Sequence, residues 1–419
     1  MENTFVIGPI SQCLPMTNLP GRGALRDEQL PIIEQAGIRV DQGKVIEVGH
    51  FDPLSAFAKA NQLPLHQLER PYVALPGWVD AHTHLCFGGS RARDYALRNS
   101  GKSYLEIAKA GGGIWDTVTQ TRATSKAQLT EDFINRLKRC QHLGVTTVEV
   151  KSGYGLNVEE ELKLLEAIQA GAERSASKVV SSCLAAHLMP KDFLESPEAY
   201  LKMISQELFP ILKSRNLADR IDAFVEESAF SAEQIRPYFA EAIKLGFDLT
   251  VHADQFTTGG SALAVEMGAR SADHLEASTA KEIALLAKSN TVAVALPGAS
   301  LGLGCGYTPA RALLDAGAAL AIASDWNPGS APMGHLLLQA AVLGAAEKLS
   351  NAEVLAGISC RAADALGLET AGRIQAGAAA DFLLFPTDDY REITYHQGQL
   401  LPDYVFIDGQ AVKQPNHEL

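Results

Sequence analysis

The residues best suited to chemistry begin with a His-x-His pair, His82 and His84, at the end of the run Leu75-Pro76-Gly77-Trp78-Val79-Asp80-Ala81-His82-Thr83-His84. In extended chain, residues two apart point to the same side, so both imidazoles can face one ion. A helix would set them about 200° apart. On its own such a pair is more often two polar residues at a loop mouth. Matching ligand types downstream reverse that balance: His252 in His252-Ala253-Asp254-Gln255 and Asp325 in Ser324-Asp325-Trp326-Asn327. Three imidazoles and a carboxylate suit one divalent ion, zinc or iron. An ion held this way lowers the pKa of its water to about 7 and so supplies a nucleophile at neutral pH. Asp325 could bind the ion, take the proton of the attacking water, or do both. His274 is a candidate second base or carbonyl polariser. Cys86, two residues past His84, reads as a small packing residue rather than a ligand.

These residues need a scaffold that gathers them. Short runs rich in valine, isoleucine or alanine recur at 73–79, 145–150, 178–184, 221–225, 247–251, 270–272 (weak), 291–296 and 319–324. Amphipathic segments separate them, such as 157–174, 231–245 and 279–289, the last two opening on Ser or Thr with a capping-box-like start. Eight strands in β-α alternation predict an α/β protein, a closed (β/α)8 TIM barrel. An open doubly wound sheet is the alternative, weakened by the lack of a G-x-G-x-x-G after the first strand. In a barrel the reactive groups sit at the C-terminal strand ends. Those ends carry His82 and His84, then Lys151 to Tyr154, His187, Glu226 and Glu227, His252 to Gln255, Asp273 to Glu276, and Ser324 to Asn327. His50, His66, His142, His396 and His417 fall instead in helices, turns or tails, where a solvated role is the default. Glu226 and Glu227 could buttress a ligand histidine or simply be solvated. The two ends of the chain have strand-turn-strand texture and no core of their own. They predict a small β-sandwich domain from 1–72 and 373–419 around a barrel at 73–372. Gly111-Gly112-Gly113 reads as a mobile loop over the site mouth.

Of 419 residues, 47% are hydrophobic and 20% charged, ordinary values for a globular protein with a substantial core. The formal net charge of -13 argues against a nucleic-acid backbone or an anionic membrane as partner. No leader pattern or membrane-length apolar run is expected. Six scattered cysteines without a C-x-x-C pair fit reduced thiols in a cytoplasm.

The chain resembles the amidohydrolase superfamily from Pro76-Gly77-Trp78-Val79-Asp80-Ala81-His82-Thr83-His84 through Ser324-Asp325, and again at 372–381, so the likeness runs end to end. Narrower matches are Phe87-Gly88-Gly89-Ser90-Arg91, Gly111-Gly112-Gly113-Ile114, Ser152-Gly153-Tyr154-Gly155-Leu156 and Asp325-Trp326-Asn327-Pro328-Gly329-Ser330. They point to a branch that hydrolyses a ring C–N (lactam) bond in a small carboxylated substrate. The resemblance implies one divalent metal per subunit on His82, His84, His252 and Asp325, and a homodimer. It places Arg91, Tyr154 and His187 on the substrate, and Asn327, Gly329 and Ser330 on the product. Arg91 is the natural partner of a carboxylate, which guanidinium grips through two parallel hydrogen bonds. One departure is chemical. Many superfamily deaminases carry Glu three residues after the fifth-strand histidine, and here that residue is Gln255. An amide orients a substrate but shuttles no proton, so Asp325 and His274 inherit the acid–base work. Lys151 stands in the wrong place to bridge two metals as a carboxylated lysine. Another cyclic amidohydrolase or an aminohydrolase is the first rival reading, and a non-catalytic metal-binding scaffold the second.

Overall fold

A computed structural model describes residues 4–414 apart from 103–105 and 107–109; His417 lies outside the described residues. The predicted β-α alternation closes into a barrel. Its eight parallel strands, in spatial as well as chain order, are Trp78–Asp80, Val145–Lys151, Lys178–Ala186, Arg220–Val225, Asp248–Ala253, Ser271–His274, Val292–Ala295 and Leu320–Ile322. The eighth meets the first just beyond its end. Asp325 N–H donates to the His82 carbonyl (3.0 Å), His84 N–H to the Trp326 carbonyl (2.9 Å), and Ser324 N–H to Asp80 Oδ1 (2.9 Å). Helix starts follow the sequence signals. Asn157 caps Val158–Ala172, and Ser231 and Thr279 form capping boxes on Ala232–Lys244 and Ala280–Leu286.

The strand expected over 73–79 is in fact two. Val73–Pro76 pairs with Phe5–Cys13 and Phe382–Phe385 in a second sheet, and only Trp78–Asp80 joins the barrel. Gly77 is the crossing point. Its N–H donates to the Asp381 carbonyl (2.9 Å), and a Cβ there would fall 2.2 Å from Thr146 Oγ1, so only glycine lets the chain pass. The second sheet runs Gln410–Lys413, Tyr404–Ile407, Phe382–Phe385, Val73–Pro76, Phe5–Cys13, Ile33–Asp41 and Lys44–His50, with Leu65–Gln67 beside Phe5–Cys13. It encloses its own core, including Phe5, Ile7, Ile38, Phe382 and Phe406. Chain from both termini therefore builds one connected sheet.

Barrel strands alternate inward and outward with period two. The inward set is unusually polar. Glu149, Lys151, Ser182, Asp222, Thr250, His252, Ser271 and Asp273 are all buried and touch one another across the interior. The outward residues Val148, Val150, Ile221, Ala223 and Val251 join the main apolar core. Among the described residues, no helix is long and apolar enough to cross a membrane. All six cysteines are unpaired, and Cys86 is buried with its thiol pushed up to about 12 by desolvation, in keeping with a packing role.

Candidate metal centre

His82 and His84 follow the first strand on a short extended stretch whose middle residue, Thr83, bridges to Trp326. That geometry keeps both imidazoles together, their ring centroids 5.3 Å apart. His252 ends the fifth strand, and Asp325 follows the eighth in a left-handed conformation (φ 49°) that aims its carboxylate back over the strand ends. The nitrogens of His82, His84 and His252 lie within 4.8 Å of one another. Asp325 Oδ1 stands 3.6 Å from His82 Nε2 and 3.5 Å from His84 Nε2, and His252 Nε2 is 3.3 Å from His84 Nε2. The expected set of three imidazoles and one carboxylate is thus brought together.

The centre has the properties of a cation site. His82 Nε2 is buried without a hydrogen-bond partner, which a lone-pair nitrogen tolerates when an ion takes that place. Burial first, with neighbouring cationic groups adding to it, pushes the His82 and His84 imidazoles well below their usual pKa. His252 is driven down to about 3, mainly by burial. Neutral imidazole is the form that binds a metal. Asp325 is raised to about 6 by burial, with His274 opposing.

His82 and His252 each face a carboxylate to which the sequence motifs assign no role. His82 Nδ1 is 2.7 Å from Asp273 Oδ2, and His252 Nδ1 is 3.0 Å from Asp222 Oδ2. The hydrogen bond to Asp273 places the His82 proton on Nδ1 and turns Nε2 toward the centre, whereas Asp222 faces His252 Nδ1 as an ion-pair partner outside hydrogen-bond geometry. Glu226 does something other than buttress a histidine. Its carboxylate accepts the Phe256 and Thr257 N–H groups (2.9 and 3.1 Å), tying down the turn that carries Gln255, while Glu227 is exposed. A charged residue in the middle of an apolar strand was the readable signal for Asp222, in Arg220-Ile221-Asp222-Ala223-Phe224-Val225.

Around the centre, His274 (φ 85°) has its ring 5.4 Å from that of His252 and its Nδ1 3.5 Å from Glu276 Oε1. His187 stacks on His84 with centroids 5.7 Å apart, its Nδ1 held by the Gly153 carbonyl at 2.9 Å. Tyr154 completes this wall, 5.8 Å from the His84 ring and 5.6 Å from that of His187. On another side the Arg91 guanidinium lies against Gly329, where a Cβ would fall 2.2 Å from Nη1. Asn327 is committed to its own turn. Its amide donates to the Asp325 carbonyl (2.7 Å) and Ser330 Oγ (2.9 Å), and its Oδ1 accepts the Gly329 and Ser330 N–H groups (2.7 and 2.8 Å). Asp94 is a further residue that no sequence motif marks. It accepts from Arg91 Nε (3.0 Å) and from Gly113 N–H (2.8 Å), so the third glycine of the triplet is anchored beside Arg91 and starts the helix Ile114–Ala123.

The comparisons with known proteins place the fold and the family. The amidohydrolase family model matches residues 73–412, and the chain belongs to that family. Within it, the chain is 39% identical over 391 residues to the imidazolonepropionase of Bdellovibrio bacteriovorus, covering 93% of this chain and 91% of that protein. It is 37% identical over 410 residues to the imidazolonepropionase of Bacillus velezensis, covering 97% and 96%. Among solved structures, a triazine hydrolase variant superposes with a TM-score of 0.71 at 16% identity, covering 99% of this chain and 95% of that one. A zinc-bound adenosine deaminase from Xanthomonas campestris gives 0.68 at 17%, covering 98% and 93%. At those identities the structural likeness speaks to the fold alone.

Proposed function

We propose that this protein is an imidazolonepropionase, hydrolysing the ring C–N (lactam) bond of 4-imidazolone-5-propanoate to N-formimidoyl-L-glutamate in L-histidine degradation. The observation that carries this reading is the convergence of His82, His84, His252 and Asp325 at the strand ends of a barrel whose imidazolonepropionase relatives align over nearly its whole length. One divalent ion, zinc or iron, held by these four residues supplies the Lewis acidity that makes water a nucleophile at neutral pH.

In this reaction water adds to the ring carbonyl carbon, the lactam C–N bond breaks, the attacked carbon becomes a carboxylate and the ring nitrogen takes a proton. Asp325 accepts the proton of water. His274 faces the same space, and although burial opposes its charge, Glu276 beside it leaves its pKa raised. It therefore polarises the carbonyl or returns the proton to nitrogen. Arg91 binds the propionate through its guanidinium edge. Tyr154, His187 and the Gln255 amide orient the ring. Asn327 shapes the turn so that Gly329 and Ser330 receive the glutamate portion of the product. The reading includes a cytoplasmic homodimer acting on a small molecule, with neither nucleic acid nor membrane as partner.

The test is loss of the imidazolone chromophore with metal-replete and metal-stripped protein, with the product identified by mass. Turnover only with metal, giving formimidoylglutamate, is expected. Ammonia release from a purine or opening of a hydantoin, with imidazolone propionate left intact, would move the protein to another branch of the family.

A further inference from the structure

Lys151 is fully buried at the end of the second strand, and its Nζ is surrounded by carboxylates. It lies 2.8 Å from Glu149 Oε1, 2.8 Å from Asp222 Oδ2 and 3.6 Å from Asp273 Oδ2. In two of these contacts one oxygen is shared. Asp222 Oδ2, next to Lys151, is the atom 3.0 Å from His252 Nδ1, and Asp273 Oδ2 is the atom 2.7 Å from His82 Nδ1. Glu149 reaches the third imidazole through the chain. Its Oε2 accepts the Thr83 N–H (3.4 Å) and its carbonyl accepts Thr83 Oγ1 (2.6 Å), while Lys151 N–H donates to the Thr83 carbonyl (2.9 Å). Thr83 is the residue between His82 and His84. One ammonium therefore connects to every histidine of the metal centre, through a different carboxylate in each case.

We infer that Lys151 is the positioning residue of the metal centre, a buried cation that, through Asp222, Asp273 and Glu149, sets the direction and tautomer of His252 and His82 and the turn bearing His84. The inference rests on the metal reading of those histidines. The physical reason is rotational. A carboxylate in a dry interior takes whichever hydrogen-bonding direction pairs its charge, and three carboxylates without a central cation would repel and turn apart. Anchored around one Nζ, the three carboxylates hold their charge in fixed places: Asp273 in a hydrogen bond to His82 Nδ1, Asp222 as an ion pair 3.0 Å from His252 Nδ1, and Glu149 at the Thr83 N–H. The contacts of Lys151 reach the histidines through these intermediaries, and its charge adds to the burial that keeps the imidazoles neutral. The long, flexible stem of lysine suits this position, because a single Nζ has to reach Asp222 and Asp273 on two different strands at once.

The test measures zinc affinity of the full-length apo-protein by competition with a chromophoric chelator, alongside the melting temperature of the same sample. Wild type, Lys151→Met, Asp222→Asn, Asp273→Asn and the double variant Lys151→Met/Asp222→Asn are compared. Outer-shell changes typically weaken metal binding about 10- to 100-fold, and each single variant is expected in that range even where it melts normally. The double variant should lose little more than the worse single one, because both changes act along one path. Folded Lys151→Met with wild-type zinc affinity would overturn the inference, leaving the lysine a structural charge only. Should Lys151→Met fail to fold, wild-type affinity in both asparagine variants would overturn it equally. Wild-type protein that binds neither zinc nor ferrous iron would instead remove the metal reading itself, and the inference with it.

Discussion

The Asp325 N–H donates to the His82 carbonyl at 3.0 Å, so one of the bonds that close the barrel links the backbones of two residues whose side chains meet 3.6 Å apart in the candidate centre. The arrangement explains the left-handed backbone of Asp325 (φ 49°), a conformation that costs most residues about 1 kcal/mol and that Asp and Asn bear best. Replacing Asp325 by Asn should keep the closing bond, the φ angle and the melting temperature, yet remove the anionic ligand and base. We expect kcat to fall by about 1,000-fold, the scale of a lost general base, with reduced metal content by elemental analysis. His252→Ala should lose metal likewise. Full activity with either variant would remove this centre from the chemistry.

Arg91 is buried in the mouth with Asp94 on its Nε edge, which leaves the opposite edge of the guanidinium for a ligand. A charge-assisted hydrogen bond is worth about 1.5–3 kcal/mol, so Arg91→Ala should raise KM by at least about tenfold and change kcat less, since the propionate is remote from the breaking bond. Asp94→Ala should shift KM in the same direction by a smaller factor, because the guanidinium keeps its charge but loses its fixed edge. Steady-state kinetics on both variants decide this, and an unchanged KM in Arg91→Ala would place the carboxylate elsewhere.

How much of this is legible in the sequence follows from which signals are local. The four proposed ligands are marked by residue type at strand ends, and the capping boxes at Ser231 and Thr279 by side chains three residues apart. The split at Gly77 is legible only in part: Pro76-Gly77 marks a break in the apolar run, but the change of sheet depends on Thr146 and Asp381, far along the chain. Lys151 stands out at a strand end, but its role there does not. Its partners Asp222 and Asp273 come from strands 71 and 122 residues later, and only barrel closure brings them together. Asp94 is hidden for the opposite reason. It sits on a helix beside Arg91, where an acid three residues from a base reads as an ordinary surface pair, and its burial is a tertiary property.

The seam between the two sheets supplies a prediction about pH. Asp381 gives its carbonyl to Gly77 and accepts Asp408 N–H on Oδ1 at 2.8 Å; desolvation raises its carboxyl to about 6 from an ordinary 3.8, with the Asp408 bond opposing. A carboxyl whose folded pKa is raised contributes stability that is present below its unfolded pKa and is lost as pH rises through the folded one. The window is thus about pH 4 to 6. Asp381→Asn keeps an acceptor for Asp408 and never ionises, so it should match wild type near pH 4 and exceed it at pH 8. The shift alone corresponds to about 3 kcal/mol, but the residue is partly exposed, and screening by solvent reduces the expected gain to about 1 kcal/mol. Urea unfolding of both proteins at pH 5, 6.5 and 8 measures it. An advantage for asparagine that grows with pH supports a strained carboxylate at the seam, and a difference independent of pH would show that Asp381 carries no such charge penalty.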